Sequence, residues 1–235
     1  MPSQTEPPAS GFYVPVIDIS PYLESPTSAS SLEIISQVRE ACISTGFFQI
    51  INHGVPQSLQ DEVFKGSAAF FGLSMEEKTK LDKSTSVGAS NRGYEIIGNQ
   101  GLQEGTLPDL KEGYYIGQEI PASDPRIQRN AFLMGPNLWP PLPTAIFREP
   151  MEKYFTAMFS LSLKILDIIA ATLPYGLDVF EEFVGNDAVS SIRLLHYPPD
   201  VSNDERQLGA GAHTDFGAVT LLLQDECGGL QVWDE

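Results

Sequence analysis

Apolar positions fall into two rhythms along the first 80 residues, and the alternation between them predicts the elements. Val14 to Ile19 is short and β-favouring, and predicts a strand. From Ser30 the spacing changes. Leu32, Ile34, Ile35, Val38, Ala41 and Cys42 trace the stripe of an amphipathic helix, with Ser30 and Glu33 placed as a capping box and Gly46 as the stop. Phe47 to Asn52 is a continuous apolar run that predicts a buried strand, broken by Gly54 and Pro56. A helix over Gln57 to Phe71 follows, and Ser74 with Glu77 marks another helix start, with Lys78, Lys80 and Lys83 on its solvated face.

Between Ser84 and Pro143 the periodicity fades among many Gly and Pro residues, and the stretch reads as long loops; Tyr94, Tyr114 and Tyr115 within it read first as packing aromatics. Thr144 to Leu173 predicts the longest helix, interrupted by Pro150 and closed by Pro174, a core helix rather than a membrane span because it carries Lys153, Lys164 and Asp167. From about Val189 the rhythm turns to period two. In Ser190 to Tyr197 this puts Arg193, Leu195 and Tyr197 on one face and Ile192, Leu194 and His196 on the other. Further β-type runs follow at His213–Asp215, Val219–Leu223 and Leu230–Trp233.

Composition narrows the classes. The 235 residues carry 31 acidic against 14 basic side chains, a formal net charge of -17, which argues against nucleic acid or an anionic membrane as a partner. Cys42 and Cys227 are far apart and form no Cys-x-x-Cys pair, so no disulfide framework or thiolate metal site is expected, in keeping with a cytoplasmic setting. Met1 to Ser10 is a polar, proline-bearing stretch without the features of a secretory signal, expected to be a loose tail.

The candidate chemistry sits near the end of the chain. In a β-type run, His213 and Asp215 project from the same face and make two corners of a metal site, and an imidazole plus a carboxylate suits a borderline metal such as Fe(II). His-x-Asp alone is a weak signal. Its surroundings are more specific. Arg193-Leu-Leu-His-Tyr-Pro-Pro199, Gly211-Ala-His-Thr-Asp215, Thr220-Leu-Leu-Leu-Gln-Asp225 and Gly228-Gly-Leu-Gln-Val-Trp233 resemble the iron- and 2-oxoglutarate-dependent dioxygenases related to isopenicillin N synthase. Val14-Pro-Val-Ile-Asp18, Gly46-Phe-Phe-Gln-Ile-Ile-Asn-His-Gly54, Arg92-Gly-Tyr94 and Asp109-Leu-Lys-Glu-Gly113 are similar to that family's N-terminal landmarks, in the same order.

The resemblance implies an α+β protein: an N-terminal dioxygenase region over 1–120, a helical connection over 121–188, and from 189 to 235 the start of a jelly-roll (double-stranded β-helix) core, incomplete at Glu235. It implies Fe(II) held by His213 and Asp215, 2-oxoglutarate as co-substrate with Tyr197 on one of its carboxylates, and dioxygen-dependent oxidation of an organic small molecule, as in specialised metabolism. Hydroxylation, desaturation and ring closure are equally compatible. His196, on the opposite face from Tyr197, and His53, at a strand-to-loop junction, read as bystanders; Leu195 stands where plant members often have Asn. The family's second iron-binding His and its basic residue for 2-oxoglutarate have no counterpart before Glu235, so the chain reads as a fragment or a shortened form. Exposed sheet edges at Val219–Leu223 and Leu230–Trp233 would then favour self-association or a partner, and the alternative function is a non-catalytic binding or assembly subunit.

Overall fold

The structure, a computed structural model, describes residues 12–185 and 188–233; the tail expected over Met1–Ser10 lies outside them. The chain divides into two compact units, one built from 1–55, 160–186 and 221–235, the other from 56–159 and 187–220. The expected α+β class is observed.

In the first unit, β1 (Val16–Asp18) pairs in parallel with β2 (Gln49–Ile51), Ile17 opposite Ile50. Helices α1 (Ser20–Glu24) and α2 (Ala29–Ser44) pack on each other, and α2 packs on β1. The buried face of α2 is Ser31, Ile34, Val38 and Ala41, whereas Leu32 and Cys42 are exposed. The cap also differs from the expectation: Ser28, not Ser30, starts the helix, its hydroxyl accepting from the Ser31 amide at 3.2 Å. The Ser31 hydroxyl, buried, donates instead to the Ser25 carbonyl at 2.6 Å and ties the helix start to the preceding turn. β2 is shorter and more exposed than its apolar run suggested, with Phe47 about half exposed, because β1 is its only strand partner among the described residues.

The second unit holds a three-stranded antiparallel sheet in the order β3 (Gly93–Glu95), β4 (Glu112–Gly117), β5 (Ser191–His196). β3 and β4 lie inside the stretch that reads as loops. The sequence Glu112-Gly-Tyr-Tyr-Ile-Gly117 shows no polar alternation because, as the central strand, it is covered on both faces. One face carries an aromatic cluster with Tyr94, Tyr114 and Leu194: the Phe70 ring of α3 (Gln57–Phe71) lies 4.2 Å from Tyr114, 6.1 Å from Tyr94 and 5.7 Å from Phe147, centroid to centroid. A Cβ on Gly66 of α3 would meet the Ile146 carbonyl at 2.8 Å, so that approach requires glycine. Tyr94 and Tyr114 are packing residues as expected, each also spending its hydroxyl, on Glu112 and on the Leu138 carbonyl respectively.

Short helix α4 (Met75–Thr79) forms the full Ser74–Glu77 capping box. Lys78, Lys80 and Lys83 do not share the solvated face expected of them. Lys80 is exposed, but Lys78 is buried with its ammonium 2.8 Å from Glu112, and Lys83 binds Glu95. The reason is tertiary: β4 brings a carboxylate under α4 that no local pattern announces. After α5 (Pro125–Gln128), α6 (Arg148–Thr172) begins four residues later than expected, so Pro150 falls in its first turn, where a missing N–H costs no helix bond. α6 is long and apolar enough to cross a membrane by composition; it buries Met151, Tyr154, Leu161, Ile165 and Ile168 and carries a Lys164–Asp167 pair at 3.3 Å on its exposed side. No ladder forms over 219–223 or 230–233, so the strands expected there are absent.

Glu112 accepts hydrogen bonds from Lys78 Nζ, from the Tyr94 hydroxyl at 2.6 Å and from His196 Nδ1 at 2.8 Å. Burial alone would raise its carboxyl, but these bonds and the Lys78 charge outweigh it and hold the group below its ordinary value of 4.5. A depressed carboxylate stabilises the fold above its unfolded value and loses that contribution as pH falls through the folded one. Stability is therefore expected to drop on acidification below about 4.5, more steeply in the wild type than in Glu112→Gln. Lys78→Met, which strands a buried carboxylate, should cost about 3–5 kcal/mol in urea unfolding.

Candidate active site

β5 sets the site's geometry. Its register against β4 places Arg193 opposite Tyr115, Leu194 opposite Tyr114 and His196 opposite Glu112. Leu194 and His196 thus face α3, with the His196 ring stacked on Phe71 at 5.3 Å, while Arg193 and Leu195 face the other way. His196 is accounted for by packing and by Glu112. His53 is also structural: its Nδ1 accepts the Val55 amide at 3.2 Å.

The face opposite the aromatic core is polar. Glu95, buried, gathers Lys83 Nζ, Arg193 Nη2 at 2.5 Å, Asn99 Nδ2 at 3.0 Å and the Tyr115 hydroxyl at 3.2 Å. Arg193 lies over the Tyr115 ring, 5.0 Å from its centroid, and also donates to Gln100 Oε1 at 2.8 Å. Desolvation would raise the Glu95 carboxyl, but the Lys83 and Asn99 hydrogen bonds and both cations keep it lowered. Burial pushes the Tyr115 phenol up to about 12. Tyr197 follows β5, half exposed, its ring so close to Gly209 that a Cβ there would sit 3.0 Å away. Burial raises the Tyr197 phenol, so the hydroxyl stays protonated and able to donate at neutral pH.

The strand expected through His213 and Asp215 does not form; the backbone from 211 to 220 is bends and irregular chain. The two side chains are nonetheless brought together, His213 Nε2 lying 3.7 Å from Asp215 Oδ1, with side chains 39% and 53% exposed. A hydrogen bond, not a pleat, directs the imidazole. His213 Nδ1 is 2.8 Å from the Gly211 carbonyl, which can only accept, so Nδ1 carries a proton and Nε2 is the ring nitrogen turned toward the carboxylate. The donor set, one imidazole and one carboxylate, fits two corners of an Fe(II) site. Among the described residues, no group of three or more His, Cys, Asp or Glu is placed to hold a metal.

Sequence reasoning missed the residues beneath this pair. Residues 206–212 lie along 103–110: the Leu107 amide donates to the Arg206 carbonyl at 3.0 Å, that of Leu110 to Leu208 at 2.8 Å, and those of Gly211 and Ala212 to Asp109 Oδ1 and Gln103 Oε1, both at 3.0 Å. The only signal for this in the sequence is the family-like landmark Asp109-Leu-Lys-Glu-Gly113, whose neighbours in space are not local.

Comparison with known proteins gives the family. Residues 14–142 match the family described as non-haem dioxygenase in morphine synthesis N-terminal, and residues 188–235 match the 2OG-Fe(II) oxygenase superfamily. The 2-oxoglutarate-dependent dioxygenase citB of Monascus ruber is 50% identical over 240 residues, covering 100% of this chain and 70% of the relative. Clavatol oxidase claD of Penicillium crustosum is 46% identical over 237 residues, covering 95% and 70%. The crystal structure of a full-length Neurospora crassa protein in complex with alpha-KG superposes with a TM-score of 0.71 at 28% identity, covering 89% of this chain and 63% of that one. The chain belongs to the non-haem iron, 2-oxoglutarate-dependent dioxygenases, an enzyme family whose cofactors are Fe(II) and 2-oxoglutarate.

His196→Ala removes a hydrogen bond to a buried charge and a ring contact, and is expected to cost about 1.5–3 kcal/mol in urea unfolding. Metal affinity, measured by Co(II) titration of the folded variant, should stay at the wild-type value.

Proposed function

We propose that His213 and Asp215 hold Fe(II), that Tyr197 hydrogen-bonds a carboxylate of 2-oxoglutarate, and that the reaction is dioxygen-dependent oxidation of an organic small molecule of specialised metabolism. The observation that carries this reading is the Nδ1–H bond of His213 to Gly211, which leaves Nε2 free 3.7 Å from Asp215 Oδ1. Iron bound there supplies activation of dioxygen coupled to conversion of 2-oxoglutarate to succinate and carbon dioxide. The protein's part is to present the imidazole in one tautomer, to keep Tyr197 a neutral donor, and to line the same sheet face with the Glu95, Arg193 and Tyr115 network. Hydroxylation, desaturation and ring closure all remain open to such a site. β5 begins the jelly-roll core in this reading. The clavatol oxidase relative supports a small organic substrate. Since the chain spans 63% of the Neurospora crassa chain it superposes on, the activity of a whole protein is part of the proposal.

Assembly through exposed apolar side chains is a second role, supported by Phe216 and Trp233 at 94% and 84% exposure. Light scattering of a monomer across the micromolar range would remove it.

Anaerobic titration of the chain with Fe(II), with and without 2-oxoglutarate, tests the main reading. Binding is expected to be weak in the wild type, with only two protein donors, and lost in His213→Ala and Asp215→Ala. Tyr197→Phe should leave Fe(II) affinity unchanged and weaken 2-oxoglutarate roughly tenfold to a hundredfold, the value of about 1.5–3 kcal/mol for a hydrogen bond to a charged group. Unchanged Fe(II) affinity in His213→Ala would overturn the assignment.

A further inference from the structure

We propose that Asp109 and Gln103, with Lys111 behind Asp109, are positioning residues that set the tautomer and direction of His213, an inference that rests on the metal-site reading above. The peptide unit joining Gly211 and Ala212 is held at both ends. Its carbonyl accepts from His213 Nδ1 at 2.8 Å and its N–H donates to Gln103 Oε1 at 3.0 Å. Polarising the amide from the Gln103 side makes the carbonyl a better acceptor, which favours the proton on Nδ1 and the lone pair on Nε2.

The preceding peptide unit is fixed as well. The Gly211 amide donates to Asp109 Oδ1, and Asp109 Oδ2 receives Lys111 Nζ at 2.7 Å, with side-chain exposures of 0% and 4%. An ion pair this buried is held in one geometry, because any movement leaves an uncompensated charge in a dry site. Gly211 itself fits only without a side chain: a Cβ would meet Gln103 Cβ at 2.7 Å and its backbone nitrogen at 2.8 Å. Two consecutive peptide planes ahead of His213 are thus anchored to the 103–111 segment, the first of them by a charge pair that no part of the proposed chemistry uses. Neither Asp109 nor Gln103 needs to touch iron or substrate for this. Their effect passes through the backbone to the imidazole.

The test reads the ring nitrogens of His213 by 15N NMR in the metal-free chain, alongside Co(II) titration and thermal unfolding. Wild type is expected in the Nδ1–H form. Gln103 is exposed, so Gln103→Ala should fold with an unchanged Tm, populate the Nε2–H form and bind Co(II) several-fold more weakly. Asp109→Asn, which points an amide donor at the Lys111 ammonium, should shift the tautomer further and weaken Co(II) about tenfold or more. Adding Lys111→Met to Asp109→Asn keeps the acceptor for Gly211 and removes the stranded charge, and should recover most of the affinity. If Gln103→Ala and Asp109→Asn keep the wild-type tautomer and Co(II) affinity while His213→Ala loses Co(II), the positioning role is wrong and the metal site stands. If His213→Ala binds Co(II) as wild type does, the metal site is wrong, and the tautomer shifts alone judge the positioning role. Should Asp109→Asn fail to fold, Gln103→Ala decides.

Discussion

The buried carboxylate of Glu112 holds the second unit together. It sits on the central strand and accepts from Lys78 in α4, Tyr94 in β3 and His196 in β5, residues 34, 18 and 84 positions away in the chain. A carboxylate in so dry a place is tolerated only when its oxygens are paired, and here Lys78 and Tyr94 close Oε2 while His196 closes Oε1. The consequence is register. With His196 locked opposite Glu112, a one-residue slip of β5 would turn Arg193 and Leu195 toward the aromatic core and Leu194 away from it. The placement of Tyr197 after β5 follows from that lock.

Two faces of one sheet therefore divide the labour. The face toward α3 is sealed by Phe70, Tyr114 and Phe147, which supplies rigidity. The opposite face keeps its charges, with Glu95 between Lys83 and Arg193 and with Tyr115 beneath the guanidinium. The Glu95 carboxyl stays charged at neutral pH because hydrogen bonds from Lys83 and Asn99, with the Arg193 and Lys83 charges, outweigh the burial that would raise it.

Beyond β5 His213 and Asp215 are carried by irregular chain, and the backbone before them is anchored by side chains of an earlier loop. Loops that bear function are dependable when a scaffold fixes them. Here the scaffold is the 103–112 segment, which runs straight into β4 and so connects the His213 loop to the same strand that bears Glu112.

What the sequence determined by itself was local. Helix α3 was legible to its end residues, the Ser74–Glu77 box to its hydrogen bonds, and the opposition of His196 and Arg193 to the period of a strand, because propensity, capping and pleat act within a few residues. The His213 and Asp215 pairing was also legible, though for a reason that did not hold, since no strand runs through it. Only the tertiary structure decided that Lys78 is buried rather than solvated, that Glu112-Gly-Tyr-Tyr-Ile-Gly117 is a central strand, and that Asp109 and Gln103 brace the loop before His213. In each of these a group finds its partner 18 or more positions away, and no periodicity in a chain encodes which distant donor will meet which buried acceptor.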